Sequence, residues 1–323
     1  MIASLAVGFE FAAQNLQLLW VPVLLDLFLW LGPRLSPAPL AERMVQMWET
    51  LLPADAMGPE YHQLFEMVRE TAANSDLFGL LSPAPLLGLP SLRAYHPALT
   101  SPLGERAVVA VRTPWAFFGW VALLLVVGTG LNALYLWLFA RRFRAQMEEP
   151  LPAPPSPWRI WGRLLGLLAL LLGGVFVILF PGLTLIGLLS ILSPLLAAVL
   201  EMLFLSFILL ALLHLLYVIP SILLLNAPLL RALGESFTLS RIYFNSTLLL
   251  VLTMMVIEAG LNFVWTLPPT ASWATLLGIV GHAFIATALL GTLFTFYHQR
   301  LVYLESLKRS YRAKAVRPQV KSS

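Results

Sequence analysis

The chain has 323 residues, 59% of them hydrophobic and only 11% charged, with a net charge of +4 and no cysteine. Soluble chains are ordinarily about 25% charged, and the missing thiols exclude disulfides, thiolate catalysis and cysteine metal sites. The charges are absent where the chain is most apolar: 67 residues between Arg163 and Arg231 carry only Glu201, and 58 between Arg241 and Arg300 carry only Glu258.

A helix in water must show a polar face at every turn, and these runs have none to show. The expected fold is therefore an all-α, polytopic transmembrane bundle of about six spans with a small helical outer loop, and its expected partner is the lipid bilayer. No glycine-rich phosphate loop with a lysine, His-Glu-x-x-His pair or Gly-x-Ser-x-Gly elbow occurs. No catalytic residue, cofactor or metal is therefore assigned, and the chain is expected not to be an enzyme.

Residues 1–32 read as an interfacial segment, Ile2 to Ala13, followed by span 1 at about Asn15–Gly32, kinked at Pro22. There is no Lys or Arg among residues 1–13, and Asp26 interrupts the apolar stretch. The segment is therefore expected to be a retained span and not a cleaved signal.

Residues 33–113 form the outer loop. Leu40, Met44, Trp48, Leu51 and Leu52 share one helical face, and Tyr61, Leu64, Phe65 and Val68 share another. These two amphipathic helices are expected to lie over the bundle or in the headgroup layer. Ser82 to Pro102 is Pro-rich and should be irregular, and the pentapeptide Ser-Pro-Ala-Pro-Leu occurs at 36–40 and again at 82–86. His62 and Glu66 sit four apart, but two ligands do not make a metal site, and His96 is unplaced.

Span 2 is expected at about Trp115–Phe139, within 114–144. An inner Pro-rich linker at 145–159 follows, and its Glu148–Pro157 part is a stiff connector. Residues 160–300 make a four-span bundle. Span 3, about Ile160–Phe180, should stop at Pro181-Gly182. Leu183–Leu195 is too short to cross about 30 Å of hydrocarbon and is expected to be interfacial or re-entrant. Span 4 is about Leu196–Ile219, ended by Pro220. An elbow helix at 226–243 would be capped by Asn226, turn Leu229, Leu230, Leu233 and Phe237 one way, and pair Arg231 with Glu235. Span 5 is about Phe244–Leu267 and span 6 about Trp273–Tyr297, with a basic cytoplasmic tail at 301–323.

Charge orients this layout. Fourteen of the twenty basic residues fall at 141–163, at 231–241 or after 299, which places those segments and both termini in the cytoplasm of a bacterial-type plasma (inner) membrane. The basic tail then reads as a topology and headgroup signal, and no nucleic-acid partner is expected. Trp30, Trp115, Trp265 and Trp273 mark outer boundaries, and Trp137, Trp158 and Trp161 mark inner ones.

Ionisable residues inside spans are functional candidates by default. Asp26 and Glu201 lie near span ends, where headgroups or water would be within reach. His214 reads as a lone packing histidine. Glu258 and His282 are deeper and at equal depth on consecutive antiparallel spans, so a direct or one-water contact is expected. That contact serves either as a helix-locking polar pair or as a proton site. Gly162, Gly166, Ala169 and Gly173 on span 3, and Ala283, Thr287, Gly291 and Thr295 on span 6, form small-residue seams through which other membrane proteins could dock.

The run Ala232-Leu-Gly-Glu-Ser-Phe-Thr-Leu-Ser-Arg-Ile-Tyr-Phe-Asn-Ser-Thr-Leu-Leu-Leu250 resembles the signature entering a span in a broad group of bacterial polytopic proteins. That group includes the membrane domain of some glycerophosphodiester phosphodiesterases, and residues 159–301 are similar to it in layout. The catalytic barrel is absent, so the resemblance implies a membrane architecture and no catalytic residue. The leading function is a non-enzymatic scaffold or membrane-organising module, the second a permease or proton-coupled transporter using Glu258 and His282, and an intramembrane enzyme ranks third. A water-filled cavity reaching Glu258 would favour the second, and a dry interior with exposed small-residue seams the first.

Overall fold

The computed structural model describes residues 2–51, 59–82, 89–147 and 152–316. Two short helices open it, α1 (Ile2–Gln14) and α2 (Trp20–Leu31), joined by a 3-10 turn at Leu16–Leu19 and bent by 82°. At the bend the Asn15 side chain donates to the freed Phe11 carbonyl at 2.9 Å.

α1 is not interfacial. Ser4, Gly8 and Ala12 recur every fourth residue and are all buried, a small-residue face that lets two backbones approach. It meets α13 (Thr275–Val316) running the opposite way. Ser4 Oγ donates to Gln299 Oε1 at 3.0 Å, and a Cβ on Gly8 would lie 2.5 Å from the Ala288 carbonyl oxygen. At the far end of α2, Trp30 Nε1 donates to the Thr270 carbonyl at 2.8 Å and its ring stands edge-on to Trp273. Residues 4 to 30 thus run along α13 from Gln299 to the loop at Thr270 before its start, whereas a re-entrant segment would return to its own side. The bent pair is one broken span. Trp30 is fully buried in this contact and does not serve as a headgroup anchor.

The loop that follows is closed at its base by a parallel pair the sequence reading lacked. β1 (Arg34–Ser36) precedes α3 (Ala38–Leu51), α4 (Pro59–Asn74), a 3-10 turn at Leu77–Leu81 and α5 (Leu92–Tyr95). A hairpin of β2 (Thr100–Ser101) and β3 (Gly104–Glu105) leads to β4 (Val108–Ala110), which pairs with β1, Leu35 opposite Val109. Arg106 secures the closure: it donates to the carbonyls of Gly32, Ala98 and Pro33 and forms a buried 3.0 Å ion pair with Asp76.

α3 and α4 pack on each other, which corrects their expected faces. Val45, Leu40 and Phe65 are buried and Trp48 stacks on Phe65, while Met44, Leu51, Tyr61 and Leu64 are exposed. Arg69 on α4 binds Glu42, Glu49 and Glu66 at 2.8–3.0 Å and stitches the two helices together. Leu52, residues 83–86 of the second pentapeptide, residues 148–151 of the connector and residues 317–323 of the tail lie outside the described residues.

Five helical stretches among the described residues are long and apolar enough to cross a membrane, and the bent pair makes six. The first is α6 (Pro114–Ala145), capped by Thr113. α7 (Pro157–Gly174) does not stop near Pro181. It widens into a π-turn at Val175–Leu179 and continues as α8 (Phe180–Leu192). Pro181 has no N–H for the Val177 carbonyl, and the π-turn absorbs that loss without ending the helix. Leu183–Leu195 is accordingly no separate interfacial piece. The combined helix, Pro157–Leu192, has 36 residues, about 54 Å at 1.5 Å per residue.

One residue, Ser193, then separates α8 from α9 (Pro194–Leu215). Gly182 and Phe204 are each eleven residues from that turn, and the Phe204 ring occupies the space over Gly182. α8 and α9 are therefore an antiparallel hairpin.

Pro220 does not end its span either. The helix breaks at Leu216-Tyr217, where Pro220 leaves the Leu216 carbonyl without its usual donor, and resumes as α10 (Val218–Leu224). Asn226 closes α10 in the left-handed region, φ 53°, and does not cap the next helix. Arg163 holds its side chain at 2.9 Å.

α11 (Leu229–Ile242) is the expected elbow, but only half of its expected apolar face turns inward: Leu229 and Leu233 pack against the core. Leu230 and Phe237 are exposed, and Ala232, Ser236 and Ser240 are buried. Ser236 donates to the His214 carbonyl and Ser240 to the Leu213 carbonyl, both beside the break. α12 (Phe244–Thr266) and α13 complete the bundle, and α13 runs on as helix through the expected tail to Val316. Phe11, Phe139, Phe143 and Phe294 form an aromatic core between α1, α6 and α13.

Candidate functional site

Glu258 stands eight residues before the end of α12 and His282 seven after the start of α13, so each is about 10–12 Å from its helix end. Trp265 sets the register between these helices, its carbonyl against Gly278 and its ring over Gly281. The two candidates face one space. Both line a cavity of about 500 Å³ and an adjoining one of about 290 Å³. No hydrogen bond joins them among the described residues, so the expected direct contact is not made. His282 is 7% exposed, while Glu258 is open to the cavity mouth.

The larger cavity lies between α9, α12 and α13, with walls such as Leu212, Leu216, Met254 and Leu290. Its loop-side end is closed by residues 89–96 of the outer loop, which dip between the helices. Asp26 holds that segment in place. Its carboxylate accepts from Ser91 Oγ at 2.5 Å, Leu92 N at 2.9 Å and Arg93 N at 3.0 Å, satisfying the orphan donors at the start of α5. Asp26 is fully buried. It reaches neither headgroups nor water, and its role is to tie the outer loop to α2.

Ser91, Tyr95, His96 and Asn262 line the smaller cavity together with the two candidates. Asn262 Nδ2 donates to His96 Nε2 at 3.0 Å. Burial first, and then the nearby Arg93 guanidinium, push the His96 imidazole below its ordinary pKa, which favours the neutral ring that accepts this bond. Arg93 is 4% exposed and lines neither cavity; its Nη1 turns to the His96 carbonyl, on the segment that Asp26 clamps.

The remaining candidates do not join this site. Glu201 is exposed on α9 without a partner among the described residues. His214 packs on the Phe237 ring, and its Nδ1 donates to the Leu210 carbonyl at 2.7 Å. Glu66 is engaged by Arg69 and does not pair with His62. No group of three metal-ligating side chains occurs among the described residues.

Sequence reasoning found Glu258 and His282 by depth alone, left His96 unplaced and missed Ser91 and Tyr95. The available signal was Ser91 ahead of Leu92-Arg93-Ala94, a helix-capping pattern inside a segment expected to be irregular. No protein-family model, curated protein or solved structure matches the chain.

Proposed function

We propose that the protein is a membrane-embedded binding protein or permease whose site is the Glu258–His282 cavity. One observation carries this reading: an apolar space of about 500 Å³ is lined by a buried imidazole, His282, and by a carboxylate at its mouth, Glu258. Small-molecule sites are typically about 300–1,000 Å³, mostly apolar, with a few convergent polar groups. The only titratable side chains on α12 and α13 that line it are Glu258 and His282, and these would carry a coupled proton.

In this reading the loop at 33–113 faces outward and both termini face the cytoplasm of a bacterial-type plasma membrane, as the clustered arginines favour. Thr71→Cys in this cysteine-free chain should react with an impermeant maleimide added from outside intact cells. Reaction only from the cytoplasmic side would reverse the orientation.

The test of the function is binding. A bound solute raises thermal stability by mass action, so a panel of amphipathic solutes should raise the melting temperature of the purified protein. Ala286→Trp, which fills the cavity, should remove the effect. Stabilisation untouched by that substitution would place binding elsewhere.

A second reading rests on a different observation. On α8 and α9 only Ile186, Ala197 and Leu213 are buried, and Gly173, Gly174 and Gly187 have nothing within 4 Å. A bare, close-approach hairpin suits a scaffold that holds another membrane protein. Site-specific photocrosslinking from Leu188 would then yield a discrete partner, and lipid adducts alone would count against it.

A further inference from the structure

We infer that the solute taken by this cavity is a lipophilic cation, which enters sideways from the lipid and places its positive group at Glu258. The inference rests on the binding reading above and adds the sign of the charge and the route of entry.

The first observation is the two-ended lining. Toward α10 the larger cavity is walled by leucines, Ile219 and Val251, and its polar groups gather at the loop-side end around Glu258 and His282. An amphipathic molecule matches this division, with its apolar body along α9 and its polar group by Glu258. Met254 and Met255 add soft, adaptable contacts, and Tyr95, which lines both cavities, offers an aromatic face that attracts cations.

The second observation is charge. Glu258 is the one acidic residue lining either cavity, and no Lys or Arg lines them. Arg93, the guanidinium on the adjoining segment, lines neither cavity; its Nη1 turns to the His96 carbonyl, and its Nε and Nη2 meet no partner among the described residues. In a poorly solvated site an anion would meet like charge without compensation, whereas a cation would supply the partner that a carboxylate in hydrocarbon otherwise lacks. His96 accepts from Asn262, so its ring does not present a fixed positive charge in competition.

The third observation is the mouth. Leu209 on α9 and Met255 on α12 flank the cavity yet are 56% and 58% exposed. The opening therefore lies on the flank of the bundle between α9 and α12, where hydrocarbon is the solvent. A solute already dissolved in the bilayer reaches Glu258 without crossing the outer loop.

Tetraphenylphosphonium and tetraphenylborate share a shape and differ in the sign of charge. Equilibrium dialysis of the purified protein in a non-ionic detergent should show saturable binding of the phosphonium and none of the borate. Glu258→Gln should weaken phosphonium binding about tenfold, the scale of one charge-assisted contact; Glu258→Asp should retain most of it, and Ala286→Trp should abolish it. Equal binding of both ions, unaffected by Glu258→Gln but lost in Ala286→Trp, would overturn the cation and leave the cavity reading standing. Binding that survives both substitutions, or no binding of either ion, would overturn both.

Discussion

α13 and the hairpin formed by α8 and α9 look alike to a hydropathy scan and live in opposite surroundings. The most apolar stretch of α13 has mean hydropathy 1.9 and is 56% buried within the protein, whereas that of Pro194–Leu224 has mean hydropathy 2.6 and is 6% buried. The more apolar helix is the less buried one, the reverse of the rule in water. Lipid is as apolar as leucine, so leucine gains little by facing protein. Small and weakly polar residues go inside instead. On α13 these are Ala283, Thr287, Gly291, Thr292 and Thr295, and the threonines return their hydroxyls to their own helix at 2.7–2.9 Å.

The largest expected effect lies on the packed side. Arg106→Met removes one partner of a buried ion pair and leaves Asp76 charged, which should destabilise the protein by about 3–5 kcal/mol, read by denaturant unfolding in detergent. A loss below about 1 kcal/mol would mean that the loop base is not the closed unit described here.

The two glycine environments give the sharpest contrast. Gly291→Leu must force α1 away from α13 and should cost about 1–3 kcal/mol. Gly187→Leu, with nothing within 4 Å, should stay within about 0.5 kcal/mol. Equal losses at the two sites would erase the distinction between packed helix and bare hairpin.

A smaller effect should follow acidification. The His96 pKa in the folded protein lies below its ordinary value of 6.5, through burial and then Arg93. The unfolded chain therefore binds more protons in that window. Stability from this group is complete above the ordinary value and is lost as pH falls toward the folded one. Hydrogen exchange of residues 91–96 should quicken below about pH 6.5 relative to α6, and His96→Gln should flatten that dependence.

The smallest effect belongs to the hairpin. Leu203→Ala should change stability by no more than about 0.5 kcal/mol, since lipid contacts it in folded and partly unfolded states alike. A loss of several times that would show that protein covers this face.

The class of the molecule was legible because two runs with one charge each leave no polar face for water. The depth of Glu258 and His282 was legible too, because a fixed rise per residue turns chain position into distance. Rotation about the helix axis was not legible, and rotation decided that the two groups line one cavity without a hydrogen bond between them. The elbow shows the same limit. Leu229, Leu230, Leu233 and Phe237 form an apolar face in the sequence, yet Leu230 and Phe237 turn outward and Ser236 and Ser240 turn inward, where they reach the His214 and Leu213 carbonyls beside a break in the neighbouring span.

By itself the sequence determined that lipid is the solvent, roughly where most of the crossings lie, and which ionisable groups must be accounted for, since all three follow from the energetic penalty of charge in hydrocarbon. Tertiary structure alone decided that Pro181 and Pro220 bend their helices without ending them, that α1 belongs to the bundle, and that Asp26 is a structural clamp. For Pro220, α1 and Asp26 the partner is distant in the chain: the Ser236 and Ser240 hydroxyls on α11, the Gly8–Gly291 contact, and the Ser91 hydroxyl with the N–H groups of Leu92 and Arg93. Local sequence carries a residue's own preference, whereas the donor, acceptor or glycine that satisfies it is supplied only when the chain folds back.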